Sequence, residues 1–562
     1  MRAVRFNKVR DADQATPSET RTAAHSEGDC RVMRKIFKIL LPTLLFLAPL
    51  AASAQSFRVQ CPTSTAFTHP VAANNNSEPA YTSATAVNGA IKCQQISGGD
   101  GYSTMGDGTQ TYMFSFGPLS GLADIRDGKP GTQFPNVFNV PYGGPQLIPG
   151  DPATTDDASG LGSFTYNGAI GLIYNLDANG GLGTPGPIDG HVDPRQIEDI
   201  GVMNGNIPAP LIAIDEDDEL FLTLSNVGMI MRPDLFEQHT VHFHGYPNAS
   251  SFYDGVPDAS VAINIGGSFT YYYLAPDAGT YFWHCHITPP EHLQMGMVGQ
   301  LYVRPRQNRV PASTTLYAAL QTQQTNLRTA CRRAGDGALP TIAPTAIVDI
   351  LCSNPVPAVQ TTATGGFISG VSTKMFAYND GDGSTQYDVE YPLQIHGFDP
   401  NFHFVGMTFN PEGFSDMKDK YFLLNGRSYP DTVTAGPLET MSADGKNHFS
   451  QPLPAIINIP AGGKALLRIS DLDVSEYQTL ASLGIPMKVI ALNAKLLRDQ
   501  AGNNLYYNTN SITLAGGESL DVILDATGYA AGQTFYLFTP NLDHLSNDAE
   551  NFGGLMTEVH IN

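Results

Sequence analysis

The stretch FWHCHITPPEHLQMGM, residues 282–297, places Cys285 between His284 and His286 and follows it with His292, Met295 and Met297. Upstream, HTVHFHG at 239–245 adds His239, His242 and His244. Six of the chain's 14 histidines thus fall between 239 and 292. A single histidine is more often a satisfied core residue than a ligand. Six together, with a thiol among them, point to a metal site, because imidazole, thiolate and thioether are the side chains that select transition metals. Cys285 is also the odd cysteine. Cys30 lies in the leader described below, and Cys61–Cys93 and Cys331–Cys352 are the natural local pairs in an oxidising compartment. That leaves Cys285 unpaired.

Strand geometry divides the donors. Side chains alternate between faces along a strand, so His284 and His286 point one way and Cys285 the other. His242 and His244 share a face, and His239, an odd number of residues away, can turn to the opposite one. One set is then His239 and Cys285, joined by His292 and Met297 from the following loop, with Met295 as the competitor for the thioether position. Two imidazoles, a thiolate and a weak thioether form the blue-copper combination suited to electron transfer. Zinc also takes Cys and His, but a methionine at the end of the loop favours copper. The other set, His242, His244, His284 and His286, is all imidazole and suits a copper left open to oxygen or another small oxidant. Cys285 is bonded through its own backbone to both neighbouring histidines, which gives electrons a short route between the sets.

These residues need strands to hold them. The chain has 562 residues, 42% hydrophobic and 15% charged, with 56 Gly and 40 Pro. It is long enough for two cores, and its short alternating runs between turn residues predict an all-β protein of β-sandwiches, which the family resemblance given below makes cupredoxin-like and Greek-key. The formal charge of −22 excludes a nucleic-acid binder. We expect a leader over 1–54, a disulfide-pinned N-terminal extension over 55–105, and a metal-bearing domain over 106–305 with a Gly/Pro/Asp-rich insertion at 122–195. A linker at 306–365 and a second domain at 366–562 follow. The two blocks read as diverged copies: HTVHFHG lines up with YPLQIHG (391–397), and GTYFWHCHITPPEHL with GQTFYLFTPNLDHL (532–545). In that alignment Tyr391, Gln394 and Thr539 replace His239, His242 and Cys285, and only His396 survives, opposite His244.

MRKIFKILLPTLLFLAPLAASAQ, starting at Met33, has the basic, apolar and small-residue regions of a secretory signal, with cleavage expected after Ala54. Met33 reads as the true start. The apolar run is too short for a comfortable membrane span and is broken by Pro42 and Pro49. A secreted or periplasmic protein, not a membrane-spanning one, is expected.

The pattern H-x-x-H-x-H-G at 239–245 with H-C-H at 284–286, then His292 and Met297, resembles the multicopper oxidases, laccase-like enzymes of cupredoxin fold. YFLLNGRSYPDT (421–432) and GKALLRISDL resemble their copper-free domain. The resemblance covers about 200–305 and 390–562. It implies a type 1 copper that takes electrons from a small reductant or metal ion, and a type 2/type 3 trinuclear centre that reduces O2. Carried over by motif, His239, Cys285, His292 and Met297 match type 1 ligands, His242 a type 2 ligand, and His244, His284 and His286 type 3 ligands. Asp254 in YDGVP is a candidate proton relay, with an Asp-Gly turn as its plain alternative. Two departures stand out. Pro289 and Pro290 lengthen the Cys285–His292 loop by two residues, which makes it similar to that of copper nitrite reductases. A trinuclear centre also needs eight histidines, of which the first domain supplies four and the second only His396 in register. The alternatives are therefore a nitrite-reductase-like enzyme and a blue-copper electron-transfer or copper-binding protein without oxidase turnover. Type 1 copper in the first domain also implies a site between domains, across a subunit interface in a homotrimer.

Overall fold

Runs such as ELFLTLSNVG and KALLRISD are rich in leucine and β-branched residues and become strands buried along nearly their whole length. In the computed structural model the described residues are 91–118, most of 205–309 and most of 375–562. Short strands at 174–176, 182–185, 314–315 and 362–363 are also described. The expected leader, Cys61, Cys331, Cys352 and nearly all of the insertion and linker lie outside them. Among the described residues no helix is long and apolar enough to cross a membrane.

The first part contains β1 (Ile91–Thr104), β2 (Gln110–Pro118), β3 (Ile212–Asp215), β4 (Glu219–Gly228), β5 (His242–Phe243), β6 (Ser268–Leu274), β7 (Gly279–His284) and β8 (Val298–Arg304). They form two four-stranded sheets, ordered β2-β1-β4-β6 and β3-β8-β7-β5. Leu222, Leu224, Phe114 and Tyr271 from one sheet meet Ile212, Leu301 and Trp283 from the other in a shared core. Trp283 is fully buried there, stacked between Phe116 and Phe243, so its role is packing. Residues 91–104, expected in the extension, are instead a central strand paired on both edges. Both its faces are covered, so Gln94, Gln95 and Ser97 are buried and no polar alternation marks it. Cys93 on this strand is disulfide-bonded.

The second part contains β9 (Val389–Phe398), β10 (Tyr421–Leu424), β11 (Ile457–Ile459), β12 (Lys464–Asp471), β13 (Gln478–Leu483), β14 (Met487–Leu492), β15 (Ser511–Leu514), β16 (Ser519–Asp525), β17 (Thr534–Phe538) and β18 (Met556–Ile561). Its sheets run β10-β9-β12-β16-β14, extended by short strands, and β11-β18-β17-β13-β15. Leu467, Val522 and Ile395 face Ile457, Leu537 and Val559 across the core.

The same path is drawn twice. β2-β1-β4-β6 corresponds to β10-β9-β12-β16, and β3-β8-β7-β5 to β11-β18-β17-β13, with both parallel pairings kept. This topology corrects the sequence alignment. YPLQIHG lies on β9, the counterpart of β1, whereas HTVHFHG leads into β5, whose counterpart is β13. Similar letters stood on non-equivalent strands.

The two parts are joined by buried charge. Arg468 and Arg304 bind Glu390 at 2.7 and 2.9 Å. Thr280 donates to Asp521 at 2.6 Å, and Gln300 donates to Ser470 at 2.7 Å. Burial works to raise the Glu390 carboxyl, but the two guanidinium groups outweigh it and hold it at about 2. The expected linker also begins inside this contact: Arg306–Arg309 is a short helical turn whose Gln307 side chain donates to Asp380 at 2.8 Å.

Candidate metal centre

β7 and the loop after it carry the site. Past Cys285, Pro289–Met295 forms a short helix, α1. Proline is tolerated in its first turn because those N–H groups lack helical partners anyway. The two prolines that looked like an insertion therefore start the helix that carries His292. Gly296, at φ 119°, ends it and returns the chain to β8.

Three donors converge on one side of β7. The Nδ1 atoms of His292 and His239 lie 3.2 and 4.0 Å from the Cys285 Sγ, and all three residues are fully buried. Donors bound to one ion with arms of about 2.0–2.3 Å stand roughly 3–4 Å apart, so this spacing fits a single transition metal. Met297 is fully buried in the same core and its carbonyl accepts the Cys285 N–H at 3.0 Å; Met295 is buried there too. The Thr240 N–H points at the sulfur from 3.4 Å. Burial depresses His239 well below the usual imidazole range. Burial opposes charge on His292 as well, but Cys285 and the nearby Glu237 carboxylate, 3.7 Å away, raise it to about 9. Metal must compete with that proton, so loading is favoured as pH rises.

On the other face, His242, His244 and His284 offer ring nitrogens within 4.8 Å of one another. The Nε2 atoms of His244 and His284 are 3.0 Å apart. His284 turns its Nδ1 to its neighbour's carbonyl, that of Cys285, at 2.6 Å, and His242 turns its Nδ1 to the Asp254 carbonyl at 2.7 Å. The backbone thus leaves each Nε2 free to bind. Burial, reinforced by the neighbouring imidazoles, lowers His244 to about 4 and His284 well below its ordinary value. Both are neutral at pH 7, the state that binds metal. His286 stands beside them, its ring 5.1 Å from that of His242. The Asp254 carboxylate is 3.6 Å from His242 Nδ1. A cleft of about 500 Å³ opens onto His244 and His284, its far wall built by Asp473, Ser475 and Gly517 of the second part.

His396 joins neither group. It is buried on β9, where its Nε2 meets the Leu293 carbonyl at 3.0 Å, so it ties β9 to α1. Other positions around the site gave little signal in the sequence. A Cβ at Gly98 would lie 2.6 Å from the His239 ring, so β1 must carry glycine there; no local pattern marks it. Thr240 sits inside the His motif and accepts the His286 N–H at 2.9 Å, clamping the two strands.

A buried N,N,S donor set backed by an imidazole set is a donor combination that suits a copper ion. The sequence model of the family described as multicopper oxidase matches residues 189–308, which hold every one of these donors. Laccase abr2 of Aspergillus fumigatus is 30% identical over 154 residues, 27% of this chain and 23% of its own length. Multicopper oxidase MCE of Talaromyces pinophilus is 34% identical over 120 residues, 21% and 18% of the two lengths. The matched segments therefore span less than a quarter of these relatives. Among solved structures, the blue copper oxidase from Nitrosomonas europaea is similar with a TM-score of 0.39 and 20% identity, covering 64% of this chain and 78% of that one. The 189–308 segment is thus similar to the multicopper oxidase family, whose metal is copper.

Proposed function

We propose that the protein is an exported, laccase-like copper oxidoreductase that oxidises a small reductant or metal ion one electron at a time and passes the electrons to O2. The observation that carries this reading is the pair of donor sets on opposite faces of one strand, joined by the peptide of Cys285. His239, Cys285 and His292, with Met297 as the thioether, hold a type 1 copper. His242, His244 and His284, with His286 beside them, form the oxygen-reducing centre. Copper bound there supplies one-electron Cu(II)/Cu(I) chemistry. The protein's part is positional. Burial of Cys285 and His239 excludes water from the first set, and the carbonyls of Cys285 and Asp254 fix the imidazole orientations of the second. Asp254, a third exposed, stands between solvent and His242 as the relay residue. The cleft is walled within one chain, so the reading does not require the homotrimer.

The test is oxygen uptake by the copper-loaded full chain with a one-electron donor, alongside Cys285→Ser. Blue absorption and uptake in the wild type, both lost in the variant, support the reading. A colourless copper-loaded wild type defeats it. The lengthened Cys285–His292 loop keeps a nitrite-reductase-like enzyme as the second reading, and nitrite turnover without oxygen uptake would favour that one. Blue colour with neither turnover would leave an electron-transfer protein.

A further inference from the structure

The trinuclear part of the family resemblance does not fit this chain. Its other histidines are His25, His69, His191, His396, His403, His448, His544 and His560, and no two of them form a His-x-His pair. The side chains of four of these are described, and each of the four has other work. His396 meets the Leu293 carbonyl, and His403 sits 2.6 and 3.0 Å from the Tyr112 and Gln294 carbonyls. His544 meets Gln478 and Glu476, and His560 meets Glu558.

The duplicated topology makes the argument positional. Placing the end of β7, His284, on the end of β17, Phe538, puts Pro540 opposite His286. His242 pairs with His284 and Ala481 with Phe538, so Ala481 stands for His242 and Leu483 for His244. The second sandwich therefore offers Ala, Leu, Phe and Pro where a second imidazole set would stand. A second copy of the chain brings the same four residues. Across the cleft, His244 meets glycine: a Cβ at Gly517 would be 3.2 Å from its Nδ1.

What remains converges on one point. With metal–imidazole arms of about 2.0 Å, two nitrogens held at roughly right angles end about 3 Å apart, which is the 3.0 Å between His244 and His284 Nε2. Resting on the copper reading above, we infer that His242, His244 and His284 hold a single copper ion with its open side toward the Asp473–Gly517 cleft, so that the chain carries two coppers in total. His286 stands beside that ion as a neighbouring imidazole and does not build a second metal position.

Copper measured by mass and by EPR spin count on the full chain, after dialysis against a chelator, tests this. Two coppers and two spins per chain are expected. Three or four coppers overturn the inference, as does a spin count well below the copper count, the mark of a coupled pair; a single copper overturns it as well. In His244→Ala the expected copper content falls from two to one with the blue absorption kept, and retention of both ions would again overturn it. Failure of the underlying reading looks different. It would show as wild-type protein without Cys285-dependent blue absorption, whatever the copper count.

Discussion

The two sandwiches share one strand path and differ at the end of one strand. In the first, β7 leads into Cys285, whose N–H meets the Met297 carbonyl; in the second, β17 leads into Thr539, whose N–H meets the Leu555 carbonyl at the same 3.0 Å. The pairing registers carry the correspondence further, setting Gln478 opposite His239. His544, on the short turn after Thr539, takes the place of His292, and its Nδ1 is 3.0 Å from Gln478 Oε1. The second site is a hydrogen-bonded copy of the first: Gln, Thr, His and Leu for His, Cys, His and Met. The scaffold alone thus does not make a copper site. On the copper reading proposed above, three side chains do, on a frame that stays folded without them.

The sharpest way to break this comparison is Cys285→Ser. It removes the thiolate that the second sandwich lacks, and blue absorption and reductant oxidation should fall to background while the fold survives, checked by visible absorption and circular dichroism. The converse change is Gln478→His with Thr539→Cys and Leu555→Met, which rebuilds the first site on the second frame around the resident His544. Such a protein should bind one additional blue copper per chain, read as a rise in copper content and in the thiolate-to-copper band. If it folds and binds none, the equivalence of the frames is wrong.

The contact between the sandwiches gives a smaller effect. Removing one member of a buried charge network is strongly destabilising, and Glu390→Gln should lower stability by roughly 3 kcal/mol at neutral pH. The sign follows from the carboxyl lying below its ordinary 4.5 when folded. Its contribution is complete above that value and is lost as pH falls toward 2. The gap between wild type and variant should therefore close across that window in denaturant titrations. Smallest is Asp254→Asn, expected to slow oxygen uptake by roughly tenfold to a hundredfold with unchanged blue absorption. Unchanged uptake would reduce Asp254 to a turn residue.

Part of this was legible in the sequence because local rules decide it. Period-two alternation separates Cys285 from His284 and His286 in any strand, and the clustering of soft donors needs no fold to be seen. Short alternating runs with Gly and Pro between them likewise indicate an all-β chain. The matching of the two halves was not legible. QIHG resembles HFHG in letters, yet one lies on β9 and the other at β5, and only hydrogen-bond register across strands far apart in sequence tells them apart. β1 escaped notice for a related reason: covered on both faces by its neighbours, it carries buried Gln and Ser instead of an alternating pattern.

The sequence by itself determined which donors exist, how they split between faces, and that an eight-histidine centre is short of ligands. Tertiary structure alone decided that Gly98 makes room for the His239 ring, that His396 ties β9 to α1 away from both donor groups, and that glycine and Asp473 face His244 across the cleft. The reason is physical. Alternation is a property of one strand's backbone, whereas what stands opposite a side chain depends on packing between elements that the chain order does not reveal.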